Sequence, residues 1–184
     1  MNTRQLNPEL FTERLRLEPQ LGSHAQVMMY VLSDARTHKF IPSDPPKDEA
    51  KLRERFEKLE SRLSADGAEY WLNWIVFLDE QALGTVAIGT VQASVYPETK
   101  CADIAYLFHP DSWGKSYARE ATQRMLAYLR NDLAVQTFTA SVDTRNLASQ
   151  RLLESLGFTQ TNYVENADEF KGSVSHEYVY TLSY

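Results

Sequence analysis

Hydrophobic and polar residues alternate along this chain with the period of a strand in some segments and that of a helix in others. Residues 14–19 alternate charged and apolar side chains, which predicts a half-buried strand that ends at Pro19. Residues 47–65 carry leucine and phenylalanine at spacings of four, three and four, which predicts an amphipathic helix. A shorter helix, from Ser23 to about Ser33, is predicted between these two elements.

The same two periods continue to the end of the chain. Strand-like runs at 70–78 and 82–93, joined by a turn at Asp79–Gln81, predict an antiparallel hairpin. The elements predicted after the hairpin are a strand at 103–109, a helix at 116–130, a strand at 135–142, a helix at 145–156, and a strand pair, 159–164 and 176–182, around an acidic loop at 165–172. This order predicts a single α+β domain over residues 1–184, in which helices flank a mixed, mostly antiparallel sheet of seven strands.

Composition and charge bound the function without identifying it. The 184 residues carry a net charge of −6, and lysine and arginine are dispersed except in the helical stretch after Lys47, so nucleic acid is not expected as a partner. The charges of that stretch fit a solvated helix face, with a binding role as the alternative. An acidic surface is compatible with an amine-bearing substrate.

Cysteine content and hydropathy give expectations about metals and location. Cys101 is the only cysteine, so neither an intramolecular disulfide nor a cysteine-based metal site can form, and no metal is expected. The N-terminus lacks the apolar run of a signal peptide, and no segment has the roughly 18 apolar residues of a membrane span. A cytoplasmic location without membrane contact is therefore expected, for a monomer or a homodimer.

One stretch combines a strand, a tight turn and the start of a helix. The residues 103–109 are followed by Pro110, by a turn that holds Gly114, and by a helix that opens near Ser116. Backbone N–H groups at such a helix start lie at the positive end of the helix dipole and can bind a phosphate. Because most junctions of this kind bind nothing, the stretch alone leaves both possibilities open.

Four segments together resemble one family. They are TERLRL at 12–17, ADIAY at 102–106 followed by WGKSYAREA at 113–121, NLASQRLLESLGF at 146–158, and YVYTL at 178–182. In this order and at these separations the chain resembles the GNAT-superfamily N-acetyltransferases, and within them the RimJ/RimL type that acetylates the N-termini of ribosomal proteins. The resemblance implies the GNAT fold and acetyl-CoA as the donor of an acetyl group.

The resemblance also implies which residues bind acetyl-CoA. Backbone amides of the turn after the central strand are expected to hold the pyrophosphate; they belong to Gly114, Lys115, Ser116, Tyr117, Ala118 and Arg119. Backbone groups of that strand are expected to hold the pantetheine arm where the strand splays from the next one; they belong to Tyr106, Leu107 and Phe108. Asn146 matches a position whose side chain contacts the cofactor.

The chain departs from the family pattern at two positions of the pyrophosphate loop. Ser116 stands where the family places glycine, and Trp113 stands where it places glutamine or arginine. A Cβ at position 116 narrows the approach of the backbone to the phosphates or strains the turn. Alternatively, the Ser116 hydroxyl adds a hydrogen-bond donor at the helix N-terminus.

Direct acetyl transfer needs a base that takes a proton from the amine and an acid that protonates the departing thiolate. Asp103 is the first candidate for the base, with an exposed strand-end acid as the alternative, and Glu98 and His109 follow. His109 alternatively caps the end of its strand. The resemblance implies that Ser149 protonates the thiolate and that Asn146 takes part, whereas the residues alone favour Asn146 as a helix N-cap with Ser149 in the first turn.

The acceptor is expected to be an amine, and the resemblance favours a protein N-terminus, such as that of a ribosomal protein. The resemblance implies that the helices 23–33 and 47–65, the strand 70–78 and the loop 165–172 wall its cleft. Tyr70, Trp71 and Trp74 are expected to line this cleft, although at least one of them is expected in the core. Acidic residues of the loop 165–172 can attract a peptide N-terminus or a small amine. Two alternatives remain open: a small-molecule acceptor (an antibiotic, a polyamine or an amino acid) and a non-catalytic acyl-CoA-binding module.

Overall fold

The computed structural model describes residues 6–80 and 84–184, and in these residues eight strands form one sheet with four α-helices packed on it. The strands are β1 (Leu10–Phe11), β2 (Leu15–Pro19), β3 (Tyr70–Glu80), β4 (Gly84–Tyr96), β5 (Cys101–Phe108), β6 (Thr137–Asp143), β7 (Thr159–Phe170) and β8 (Ser173–Ser183). The helices are α1 (Ala25–Leu32), α2 (Glu49–Leu59), α3 (Tyr117–Leu133) and α4 (Leu147–Ser155).

The sheet has the strand order β1-β2-β3-β4-β5-β6-β8-β7. β5 and β6 are parallel and are joined by α3, whereas the other neighbouring pairs are antiparallel. The predicted order of elements and the predicted crossover through the central helix are confirmed. No helix in the described ranges is both long and apolar enough to cross a membrane.

Side chains of the central strand β3 alternate between two helix-covered faces of the sheet. Trp74 of β3 packs in the larger core, with Met125 of α3 and Leu153 of α4. The next residue, Ile75, packs in the smaller core on the opposite face, with Phe56 of α2. Because apolar residues occupy successive positions of β3, both of its faces are buried in this region.

Two boundaries differ from the prediction for local reasons. The described residues contain eight strands rather than the predicted seven, because the two-residue β1 pairs with β2 and is too short to show a period of two. The second predicted helix ends at Leu59 rather than near residue 65, since Arg62 takes a left-handed conformation at φ 57°. In the β3–β4 hairpin, Asp79 is a strand residue opposite Thr85, and Gln81 lies outside the described residues.

The predicted acidic loop at 165–172 is wrong. β7 continues to Phe170 and β8 begins at Ser173, so only Lys171 and Gly172 turn the chain. The pairing shifts register between Val164 and Asp168. Most side chains of β7 are exposed, whichever face they occupy, so no alternation of buried and exposed residues marks this segment as a strand.

Candidate active site

The parallel strands β5 and β6 are hydrogen-bonded over a short stretch and then separate. Among the described residues, the paired positions are Cys101 with Thr137, Ala102 with Phe138 and Asp103 with Thr139. β5 continues to Phe108 and β6 to Asp143, so their facing edges form a V-shaped opening beyond the last pair. Backbone groups along these edges can bind an extended ligand as a further strand would. The predicted splay of the two strands is confirmed.

The turn that follows β5 carries a run of unpaired backbone N–H groups. Gly114 and Ser116 have left-handed conformations, at φ 74° and 65°, and α3 begins at Tyr117. From residue 114 to 119, no backbone N–H donates to an acceptor in the part of the chain that the structure describes, whereas the N–H of Glu120 donates to Ser116 O at 3.0 Å. Consecutive unpaired N–H groups at a helix N-terminus form a site for phosphate or pyrophosphate.

The N-terminal segment holds this turn in place. Arg14 donates to Lys115 O at 3.3 Å and forms an ion pair with Glu120 at 2.6 Å. Thr12 Oγ1 donates to the same carboxylate at 2.5 Å. Trp113 Nε1 donates to the carbonyl at the end of β5 at 2.8 Å. These contacts join the segments 12–17 and 113–121, which are far apart in sequence, into one support for the anion site.

The first turn of α4 lies beside the V-shaped opening. Asn146 is the N-cap of α4, and its Oδ1 accepts the backbone N–H of Ser149 at 3.2 Å. The Ser149 hydroxyl shares a 2.7 Å hydrogen bond with Tyr106 Oη, which also donates to Ser149 O at 3.2 Å. Burial raises the pKa of Tyr106 to about 12, so its phenol stays protonated at neutral pH. The capping role of Asn146 is confirmed, and Ser149 has a partner that the sequence did not indicate.

A buried carboxylate connects the end of β6 to the start of α4. Asp143 accepts the backbone N–H of Arg145 at 2.8 Å, its guanidinium at 2.5 Å, and Ser175 Oγ at 2.7 Å. The Asp143 backbone carbonyl accepts the N–H of Asn146 at 2.9 Å. Hydrogen bonds from Arg145 hold the pKa of Asp143 at about 2, so this carboxylate is ionised at neutral pH and positions the helix start.

Replacing Asp143 with asparagine is expected to lower the free energy of unfolding at pH 7 by about 2 kcal/mol, the equivalent of its depressed pKa. Because the folded pKa lies below the unfolded value, this stability is present above about pH 4 and is lost as the pH falls toward 2. Urea unfolding of both proteins at pH 7 and pH 3 measures the difference. Asp132→Asn, at an exposed position of α3, is the control. Equal stability of Asp143→Asn and the parent at pH 7 would contradict the assignment.

A cavity of about 480 Å³ lies between the helices α1 and α2 and the sheet. Ala105, Tyr106 and Leu107 line it from β5, beside the V-shaped opening. Apolar residues of α1 and α2 line it from the opposite side; they include Met28, Leu32, Leu52, Phe56 and Leu59. The lining comes from separate segments of the chain, among them the two helices that the resemblance implied as walls of the acceptor cleft.

Asp103, the first candidate for the base, lies at the closed end of the V. It occupies the same face of β5 as Leu107, which packs against the smaller core beneath α1 and α2. The carboxylate accepts a hydrogen bond from the Tyr96 hydroxyl at 2.9 Å and another from the Thr139 hydroxyl. Asp103 is exposed and stands two positions before Ala105, which lines the cavity.

The two other candidates for the base lie in turns. Glu98 is exposed in the connection between β4 and β5. His109 is buried, its Nδ1 accepts the N–H of Asp111 at 3.2 Å, and its ring stacks on Tyr30 with centroids 4.2 Å apart. His109 is the N-cap of the short 3-10 turn at Pro110–Ser112, which confirms its capping role.

The three aromatic residues expected in the acceptor cleft occupy different environments. Trp74 is fully buried, with its Nε1 donating to Pro8 O at 2.8 Å and its ring in edge contact with Tyr128. A substrate-lining role for Trp74 is therefore wrong, and the expectation that one of the three belongs to the core is confirmed. Tyr70 packs against the same core, and Trp71 Nε1 donates to a neighbouring carboxylate at 2.9 Å. None of the three is among the described residues that line the cavity.

The tip of the β7–β8 hairpin is fastened to the loop that borders the cavity. Lys171 Nζ donates to Ile41 O at 2.8 Å, to Ser43 O at 3.3 Å and to His38 O. His38, Ile41 and Ser43 all line the cavity. The acidic residues at 165–169, by contrast, are absent from the described lining. The hairpin thus borders the cavity through Lys171, and not through the acidic residues that were expected from the sequence to attract the acceptor.

Comparison with known proteins settles the family. Residues 14–159 match the family model described as an acetyltransferase (GNAT) domain. The chain belongs to the GNAT acetyltransferase family. Like its relatives it is an acetyl-CoA-dependent N-acetyltransferase, and the predicted GNAT fold and co-substrate are confirmed. It is 27% identical over 173 residues to the uncharacterized N-acetyltransferase p20 of Bacillus licheniformis, covering 94% of each chain.

Solved structures with the same fold include enzymes with different acceptors. RimL, a ribosomal L7/L12 α-N-protein acetyltransferase solved with coenzyme A, has a TM-score of 0.82 at 16% identity over 96% of this chain and 98% of its own. Spermidine N-acetyltransferase from Vibrio cholerae, solved with CoA and spermine, has a TM-score of 0.78 at 17% identity over 94% of this chain and 96% of its own. Fold similarity therefore leaves the acceptor of this GNAT enzyme open.

Replacing Ser116 with glycine is expected to raise the free energy of unfolding of this GNAT enzyme by about 0.5–1 kcal/mol, because a residue with a Cβ is strained at a left-handed position. The Ser116 side chain makes no capping hydrogen bond that compensates. Urea unfolding measures the change. Ser116→Ala is the matched control, since it keeps the Cβ and removes the hydroxyl. Weaker acetyl-CoA binding by the alanine variant, with no stability gain in the glycine variant, would show that the hydroxyl is a ligand instead.

Proposed function

We propose that this GNAT enzyme transfers the acetyl group of acetyl-CoA directly to the α-amine of a protein N-terminus. The observation that carries the proposal is the cavity of about 480 Å³, which is lined by residues 105–107 of β5 and also by the exposed Lys47 and Lys51. An extended peptide end can enter such a cavity with its amine directed toward the V-shaped opening.

The unpaired backbone groups supply the proposed acetyl-CoA site. We assign the pyrophosphate to the N–H groups of residues 114–119 and the pantetheine arm to the β5 edge from Tyr106 to Phe108. Asn146 Nδ2 donates to no acceptor among the described residues, so it is available to the same arm. The bound co-substrate supplies an activated acetyl group, and these contacts would hold that group beside the acceptor cavity. Because donor and acceptor are then held in a fixed orientation, the transfer no longer requires a bimolecular encounter.

The Tyr106–Ser149 pair supplies the proposed proton donor. Its two hydroxyls are hydrogen-bonded at 2.7 Å beside the opening, so a proton given from Ser149 to the departing thiolate sulfur can be replaced from the phenol. A backbone N–H on the free edge of β5 is the proposed donor to the thioester carbonyl oxygen, where negative charge develops as the amine attacks.

Asp103 remains the proposed base, acting through water, because it lies on the cavity side of the sheet two residues before Ala105. Asp103→Asn is expected to lower kcat/KM by about 10- to 100-fold near pH 6 and by much less near pH 9, where the amine loses its proton unaided. The pH profile of acetylation measures this. Asp79→Asn is the matched control, since Asp79 is also a strand carboxylate that accepts a threonine hydroxyl, at 2.6 Å. A parallel loss at every pH would remove Asp103 from the role.

A thiol-release assay tests the proposed acceptor. The enzyme is mixed with acetyl-CoA and with a panel of N-terminal peptides, free amino acids and spermidine, and the modified atom is located by mass spectrometry. Thiol release with peptides and acetylation at their α-amine is the expected result. Turnover restricted to small amines would overturn the proposed acceptor. Tight acetyl-CoA binding without thiol release for any amine would favour a non-catalytic binding module.

A further inference from the structure

The acceptor cavity is cationic along one side. Lys47, Lys51 and Arg55 line it at intervals of four residues, and Asp44 is the one carboxylate among the described lining residues. All three cations are exposed. Within the described ranges, no carboxylate lies within ion-pairing distance of any of them. The protein has a net charge of −6, so three unpaired cations on one cavity wall are a local excess of positive charge that the overall composition does not predict.

Three acidic residues in the same part of the chain are engaged elsewhere. Asp48 caps α2 by accepting the backbone N–H of Lys51 at 2.8 Å. Glu49 forms an ion pair with Arg53 at 2.5 Å, and Glu60 accepts the N–H of Gly22 at 2.6 Å. The cations on the cavity side are therefore left to interact with whatever enters the cavity.

We propose that the acceptor is an acidic peptide N-terminus, whose carboxylates bind Lys47, Lys51 and Arg55. This inference rests on the proposed function and specifies its substrate. Four residues of an α-helix span about 6 Å, and alternate residues of an extended chain are separated by about 6.6 Å. The spacing of Lys51 and Arg55 thus matches acidic side chains at every second position of an extended peptide. Ion pairs of this kind discriminate between charged partners and steer their approach.

The neighbouring groups agree with an anionic acceptor. Lys171 points its ammonium group at three backbone carbonyls, so it does not add to the cationic side of the cavity, and the proposed recognition is confined to Lys47, Lys51 and Arg55. The apolar residues Leu52 and Phe56 form the buried part of the same helix face. A polycation such as spermidine would meet three like charges at the cavity wall, which is unfavourable.

The test compares three peptides of equal length that carry aspartate, asparagine or lysine at alternate positions. The enzyme is expected to acetylate the aspartate peptide with a kcat/KM at least about tenfold above that of the asparagine peptide, and the preference is expected to fall with added salt. In Lys51→Glu/Arg55→Glu the preference is expected to move to the lysine peptide. Lys58→Glu, the same charge change at an exposed position of α2 outside the cavity, is expected to leave the preference unchanged.

Binding of the N-acetylated product peptides, followed by fluorescence anisotropy, separates this inference from the proposed function. Equal kcat/KM for the aspartate and asparagine peptides, or an unchanged preference in the double variant, would overturn the inference and leave peptide acetylation intact. Charge-selective binding that the double variant loses, without turnover of any peptide, would support the cationic site and contradict the proposed function. Equal binding of all three product peptides would overturn the inference whatever the turnover.

Discussion

Gly114→Glu is expected to weaken acetyl-CoA binding by more than about 100-fold. The backbone N–H groups of residues 114–119 are unpaired among the described residues and form the proposed pyrophosphate site, and a carboxylate placed among them would compete with the pyrophosphate and repel it. Two unit charges about 4 Å apart near a protein surface interact by about 4 kcal/mol, which is more than the loss expected here. Isothermal titration calorimetry with acetyl-CoA measures the affinity directly.

Gly67→Glu is the matched control for this change. Gly67 has the same backbone conformation as Gly114, at φ 74° in both, and an added Cβ has open space at either position. The control therefore carries the same strain and the same charge, but in the turn between α2 and β3. Full affinity in Gly67→Glu is expected. Full affinity in Gly114→Glu as well would show that the pyrophosphate binds elsewhere.

Ser149→Ala is expected to lower kcat by about 10- to 100-fold with little change in the KM for acetyl-CoA, because in the proposed mechanism the lost hydroxyl acts on the leaving thiolate rather than on ground-state binding. Turnover is expected to persist, since a thiolate of modest basicity can leave without protonation. Tyr106→Phe removes the hydrogen-bonding partner of Ser149 at 2.7 Å and is expected to lower kcat by a smaller factor, again with little change in KM. Steady-state kinetics of the single variants and the double variant measure these effects.

The double variant distinguishes a shared role from two separate ones. If the two hydroxyls act as one proton donor, the double variant Ser149→Ala/Tyr106→Phe is no less active than the less active of the two single variants. Ser155→Ala is the matched control, because Ser155 is an exposed serine of the same helix that donates only to Leu152 O, at 2.7 Å. Additive losses, or an equal loss in Ser155→Ala, would contradict the proposed proton path.

Errors in the predicted fold occur where local periodicity fails. β1 has two residues, too few for an alternating pattern, and it exists because it pairs with β2. The outer part of β7 is exposed and acidic, so it has the composition of a loop, yet pairing with β8 makes it a strand. Longer elements with one or two buried faces, such as β3 and α3, are predicted in the right place, because burial imposes a period on the residues themselves.

Errors in the predicted site follow from the same limit. The turn that we propose as the pyrophosphate site is local: its glycine, its left-handed Ser116 and the start of α3 lie within a few residues, so the sequence indicated the turn. Trp74 was misplaced because a tryptophan in an apolar strand looks the same whether it faces a cleft or a core. Of the segments that the resemblance implied around the acceptor cleft, the helices α1 and α2 do line the cavity, whereas residues 70–78 and 165–172 are absent from its described lining.

The sequence by itself determined the order of helices and strands, the turn that presents its N–H groups after β5, and the resemblance that names the co-substrate, because each depends on residues close together in the chain. Tertiary structure alone decided which side chains meet. Tyr106 contacts Ser149 across 43 positions, and Lys171 contacts Ile41 across 130. Such contacts depend on how strands are ordered in the sheet and on which face of a helix is covered. They bring Tyr106 and Ser149 together beside the opening between β5 and β6, and they place Lys47, Lys51 and Arg55 along the neighbouring cavity.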